Sequence, residues 1–157
     1  MIRFERAVLV VLLVTAACRS HVQAMRDPAT VEAEIRARSH AIVAAEQQQD
    51  LEAIMQFYAE DAVVHVEGAA AARGHAAIRR LYGEYFQMPI VAFDATITHV
   101  AVGESGDLGY ETGVNNFTLE QGGQQVPLLG KYLAVWRRGP DGRFRIVALA
   151  VTNDRAP

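Results

Sequence analysis

Apolar residues recur at two periods along this chain, and the change from one to the other near residue 90 divides it. In the first part Val31, Ile35, Ile42 and Val43 fall at helical spacing, which predicts a helix over residues 28–48. Asp27-Pro28 marks its start. The carboxylate can accept from N–H groups that the first turn leaves free, and a proline at the first helical position gives up no hydrogen bond. Asp50 is placed to cap a second, shorter helix carrying Leu51, Ile54, Met55 and Tyr58. Ala62-Val63-Val64-His65-Val66-Glu67 is short and β-branched, which favours a strand. A loop over residues 68–72 leads to a third helix, residues 74–86, with Ile78, Leu81, Tyr82 and Tyr85 at helical spacing, and Pro89 ends it.

From residue 90 the period becomes two. Phe93, Ala95, Ile97, His99 and Ala101 alternate with Asp94, Thr96, Thr98, Val100 and Val102. Strands over residues 108–120, 126–138 and 144–151 follow, separated by Gly- and Asp-rich turns that argue for antiparallel hairpins. Helices first and a meander afterwards make an α+β fold, with the helices against one face of a curved sheet. These strands carry apolar residues on both faces, and one helical layer covers only one of them. The other would expose a contiguous patch that monomers rarely tolerate, so a symmetric homodimer is expected.

Ahead of the first helix the pattern is of another kind. Arg3 and Arg6 precede residues 7–17, eleven positions without a charge, too short a run to span a bilayer but suited to an export signal. The only cysteine, Cys18, follows Thr15-Ala16-Ala17. This arrangement resembles a bacterial lipoprotein signal, with Thr15 where that family usually has leucine. The resemblance implies removal of residues 1–17, a lipid on Cys18, a tether over residues 18–27 and a folded domain over residues 28–154. It also implies a place on the periplasmic side of a bacterial envelope, with Arg19 leaning toward the outer membrane. Val22-Gln23-Ala24 leaves open ordinary cleavage after Ala24, which would give a soluble secreted or periplasmic product.

Composition narrows the classes further. The 157 residues fit one domain with a single core, and 26 of them are alanine, so the core is less bulky than the 51% hydrophobic share implies. A net charge of −3, with no basic run beyond a pair, gives no footprint for nucleic acid. The histidines show no HxxxH or HxH spacing to suggest a metal, a lone cysteine builds no zinc site, and no phosphate loop or nucleophile elbow occurs. No metal and no cofactor are therefore expected.

The words along the folded part match a known order. Gln49-Asp50-Leu51, Phe57-Tyr58-Ala59-Glu60-Asp61-Ala62, Arg73-Gly74-His75-Ala76-Ala77-Ile78 and Tyr82 resemble the SnoaL-like, ketosteroid isomerase-like group of the nuclear transport factor 2-like superfamily. Gly106-Asp107-Leu108-Gly109-Tyr110-Glu111-Thr112-Gly113, Gly130-Lys131-Tyr132-Leu133-Ala134-Val135-Trp136-Arg137 and Asp141-Gly142-Arg143-Phe144-Arg145-Ile146-Val147 continue the likeness. It implies a cone, a curved antiparallel sheet wrapped around three N-terminal helices, with a pocket at one end and sheet-to-sheet dimers. It also implies three catalytic positions, a base, a tyrosine and a late-strand aspartate. Counting along the matching words puts these on Val66, on Ile42, and on Tyr132 or Lys131, so the isomerase groups are not retained.

What remains of the pocket, on the same resemblance, is Tyr58, Tyr82, Tyr132 and Trp136, with Asn116 sharing a strand face with Tyr110 and Val114. These groups imply a site for a small, largely apolar ligand, with no catalytic residue among them. The competing expectation is a SnoaL-like enzyme, an isomerase, cyclase or dehydratase, using His65 and Glu67, or Asp154, as acid–base groups. On the predicted alternation His65 and Glu67 face away from the pocket, so that reading requires them to be turned inward.

Overall fold

The computed structural model describes residues 27–154. The residues expected to form an export signal, Cys18, Ala24 and all of the expected tether but Asp27 lie outside the described residues. The chain runs α1 (Pro28–Gln47), α2 (Leu51–Met55), β1 (Tyr58–Val66), β2 (Ala72–Arg73), α3 (Gly74–Tyr85), β3 (Ile90–Val102), β4 (Leu108–Gln121), β5 (Gln124–Arg138) and β6 (Phe144–Asn153). The six strands form one sheet in the order β2-β1-β6-β5-β4-β3. All neighbours are antiparallel except β1 and β6, which pair in parallel.

Local chemistry sets the helix starts as expected. The Asp27 side chain accepts from the backbone N–H of Ala29 and Thr30, and Asp50 accepts from Ala53 at 3.0 Å. On α1 the buried stripe is Val31, Ile35, Ser39, Ile42 and Ala45. It faces the concave side of the sheet, with α1 packed mainly on β3 and α3 on β1. Tyr58 belongs to β1 and not to the second helix, because its backbone pairs with Ile146 of β6.

Two strands present faces other than those expected. On β3 the register shifts between Ile97 and His99. A bulge of this kind exchanges the faces beyond it, so Phe93, Ala95 and Ile97 point inward before it and buried Val100 after it, while His99 lies against Tyr110 on the outer side. On β4 the inward set is Gly109, Glu111, Gly113, Asn115, Phe117 and Leu119, and the outward set is Leu108, Tyr110, Thr112, Val114 and Asn116. The expected face of Asn116, Tyr110 and Val114 is thus reversed. Close packing explains it. A Cβ on Gly109 would lie 2.6 Å from Ile35 Cδ1, and one on Gly113 would overlap the Tyr132 ring and come 2.5 Å from the Thr96 carbonyl. Only glycine lets these two inward positions exist, and their lack of side chains hides them from a hydrophobic count.

Candidate functional site: an apolar cone with two buried carboxyls

α1, α3 and the concave face of the sheet enclose a cavity of about 390 Å³. Its wall is mainly apolar, with Ile42 and Val43 from α1, Leu81 from α3, Val66 from β1, Phe117 from β4 and Leu149 from β6. Glu84, Asn115 and Asn153 also reach that wall, and two hydrogen-bonded polar groups interrupt it.

The first is a chain of three side chains. The Tyr82 hydroxyl donates to Glu46 Oε1 at 2.5 Å, and the Tyr58 hydroxyl, 2.9 Å from that of Tyr82, donates to it in turn. The two rings meet edge to face at 6.1 Å. The second group centres on Glu111 of β4, only 2% exposed, whose Oε1 accepts from the Ser39 hydroxyl at 2.7 Å. Its other oxygen, Oε2, is buried with no hydrogen-bond partner among the described residues, and so are the Tyr132 hydroxyl and Trp136 Nε1.

Burial governs the protonation of both acids, since a carboxylate in an apolar wall loses its hydration. It pushes Glu46 up to about 7 against the lowering effect of the Tyr82 hydroxyl. It pushes Glu111 up to about 7 as well, opposed by Ser39, the adjacent Trp136 indole and the more distant Arg36. The phenols of Tyr58, Tyr82 and Tyr132 are raised, first by burial and then by the neighbouring carboxyls. Both acids therefore stand where small changes in surroundings decide whether they carry charge.

The structure brings Tyr58, Tyr82 and Tyr132 together on the cavity wall. Trp136 shares the inward face with Tyr132 but is 0% exposed and sits in the core beyond the wall. Asn116 faces outward and its neighbour Asn115 takes the lining position. His65, Glu67 and Asp154 are all exposed and none lines the cavity. Glu67 accepts from the Asn153 backbone at 2.9 Å, and Asp154 pairs with Lys131. Ile42, Val66 and Tyr132, the positions counted for the isomerase groups, all reach the cavity.

Sequence reasoning missed Glu46, Glu111 and Ser39. A signal existed for two of them. Ser39 lies within the buried stripe of α1 and Glu46 continues it one turn beyond Ile42, so a helical projection would have put a carboxyl on the apolar face. Among the described residues no group of three or more His, Cys, Asp or Glu side chains is placed to hold a metal ion.

A curved sheet closed by helices over an apolar cavity defines this protein as an α+β cone domain with an internal small-molecule-sized pocket. Residues 39–149 match the SnoaL-like domain, and the chain belongs to that family. No curated protein matches the sequence. Among solved structures it is similar to a ketosteroid isomerase-like protein from Erwinia carotovora atroseptica, with a TM-score of 0.71 and 21% identity over 80% of this chain and 97% of that one. It is also similar to a proposed dehydratase of the NTF2-like family from Streptomyces avermitilis, with a TM-score of 0.68 and 19% identity over 82% of this chain and 100% of that one. An NTF2-like protein with a cystatin-like fold from Novosphingobium aromaticivorans gives a TM-score of 0.60 and 20% identity over 79% of this chain and 82% of that one. At such identities the likeness is one of fold, and function must be argued from the site.

Proposed function

We propose that the cone binds a small, largely apolar molecule, without isomerase chemistry of the ketosteroid type. The observation that carries this reading is the cavity of about 390 Å³ with an apolar wall and a few convergent hydrogen-bonding groups, the usual make-up of a small-molecule site. Ile42 and Val66 supply neither donor nor acceptor where the resemblance would place the tyrosine and the base. Titration with decanol, followed by the fluorescence of Trp136, tests it. Saturable binding is expected, weakened at least about tenfold in Val66→Phe, whose larger side chain fills part of the cavity. A wild-type signal that never saturates would sink the reading.

A second reading, a SnoaL-like enzyme, is favoured by a different observation. Glu46 and Glu111, raised to about 7, stand in the range suited to general acid–base catalysis. His65, Glu67 and Asp154 play no part in it. Enzyme-dependent deuterium exchange into methyl octyl ketone, lost in Glu111→Gln, would support it; equal exchange by both proteins would dismiss it.

For the whole chain we propose export to the periplasmic side of a bacterial envelope, with a lipid on Cys18 as anchor. The support is the apolar run ending in small residues before the only cysteine. A Cys18→Ser variant should leave the membrane fraction, and unchanged partition would favour cleavage after Ala24 instead. The domain is proposed to pair as a homodimer through the outer sheet face, where Leu108, Tyr110, Leu129 and Leu133 are 46, 40, 52 and 41% exposed. Sedimentation at micromolar concentration should give a dimer that Leu133→Lys dissociates; a wild-type monomer would contradict it.

A further inference from the structure

Every charged side chain on the cavity wall is an acid. Glu46, Glu84 and Glu111 line it, and among the described residues no lysine, arginine or histidine does. Of the three, Glu111 is the least exposed and is held by Ser39 through one oxygen only. The other oxygen is buried and makes no well-formed hydrogen bond among the described residues, with only the Trp136 indole beside the carboxyl, a costly arrangement for a polar atom unless something bonds to it. The groups facing Glu111 are Ser39 and Arg36 from α1 and Tyr132 and Trp136 from β5, while β3 places Val100 opposite it; Glu46 of α1 acts, like Glu111, on Tyr132. Arg36 is about two-fifths exposed and lies closest to Glu32, so it leaves Glu111 without a close cation.

We infer that the ligand of this cone is an apolar amine whose protonated head is held by Glu111, with its hydrocarbon part against the apolar wall. The inference rests on the pocket reading above and narrows it to a ligand class. An ammonium donates to Oε2, neutralises the carboxylate and lies near the Tyr132 ring, whose face attracts a cation. An anionic head meets three acids and no base. A neutral alcohol or ketone has the Tyr132 hydroxyl to use but leaves the carboxylate unneutralised. The amine should therefore be preferred to either.

A matched series of decylamine, decanol and decanoate tests this by calorimetry. At pH 8, where an alkylamine is protonated, decylamine should bind at least about tenfold more tightly than decanol, and decanoate should bind weakest. Because Glu111 titrates near 7 when the site is empty, the amine's advantage should fall roughly tenfold per unit as the pH drops below that value. In Glu111→Gln the preference for the amine should vanish while decanol still binds. Glu46→Gln should retain it. Equal binding of decanol and decylamine, or a preference that survives Glu111→Gln, overturns the assignment and leaves the apolar pocket standing. A preference lost in Glu46→Gln and kept in Glu111→Gln moves the head to the wrong carboxyl and also overturns it. Failure of all three probes to bind refutes the pocket reading together with the inference.

Discussion

Replacement of Trp136 by alanine is expected to cost about 3–5 kcal/mol, and replacement of Arg137, the next residue, at most about 1 kcal/mol. Alternation along β5 puts the two side chains on opposite faces of the sheet. Trp136 is 0% exposed, paired across the ladder with Gly109 on one side and Ile146 on the other. Gly109 contributes no side chain and Ile35 already approaches it closely, so neighbouring atoms have little room to close over the space an indole leaves. The loss therefore combines buried area with a persisting cavity. Trp136 Nε1 makes no well-formed hydrogen bond among the described residues, and its one polar neighbour is the Glu111 carboxyl, so the loss is chiefly one of packing. Arg137 projects outward with its side chain 51% exposed and meets Asp61 at 3.0 Å. A surface ion pair of that kind is screened by water and salt and adds little. Urea unfolding of Trp136→Ala and Arg137→Ala under identical conditions separates the two; greater damage from the Arg137 change would reverse the assignment of faces along β5.

The sequence made some faces readable and concealed others, for reasons that differ strand by strand. On β5, Lys131 and Arg137 share the outward face and Tyr132 and Trp136 the inward one, so charge and bulk agree. On β4 they conflict. The inward face reads Gly109, Glu111, Gly113 and Asn115, while the outward face includes Leu108, Tyr110 and Val114, so hydrophobicity alone selects the wrong side. The apolar outer face and the glycine-lined inner one are each required by what they pack against. On β3 a register shift invisible to a period-two count turns the strand over. The parallel pairing of β1 with β6 joins segments about as far apart as the domain permits, and no local pattern encodes it. The three pocket tyrosines were legible because aromatic residues at matching family positions point to the cavity. The acids were not, because carboxylates are assumed to face water, and Glu111 sits on the strand whose parity was misread.

Stability should fall as the pH rises from 4.5 to 8, the reverse of what ion-paired carboxylates produce. Glu46 and Glu111 are raised from 4.5 to about 7 in the folded chain. At and below the unfolded value both states hold these protons and the two acids contribute no difference. Between the two values the unfolded chain releases protons that the folded one keeps, so the unfolded state gains with every increment of pH. Above about 7 the folded acids ionise too and the penalty becomes constant. A rise from 4.5 to about 7 corresponds to about 3 kcal/mol for each acid, which makes the sum a large part of a small domain's stability. Asp141, held well below the usual carboxylate range by Arg145, and Glu52, lowered by Arg79, act in the opposite sense. Their contribution is lost as the pH falls through their lowered folded values, so it shapes the acid limb below this window. Glu111→Gln keeps the shape of the side chain and removes its titration. It should match wild type near pH 4.5 and exceed it by about 2–3 kcal/mol at pH 8, with Glu46→Gln behaving alike and the double variant nearly flat across the window. Unfolding free energies at closely spaced pH values decide the matter. A wild-type curve that is level or rising between 4.5 and 8 would mean that both carboxylates ionise in the folded cone without penalty, as only well-hydrated groups do.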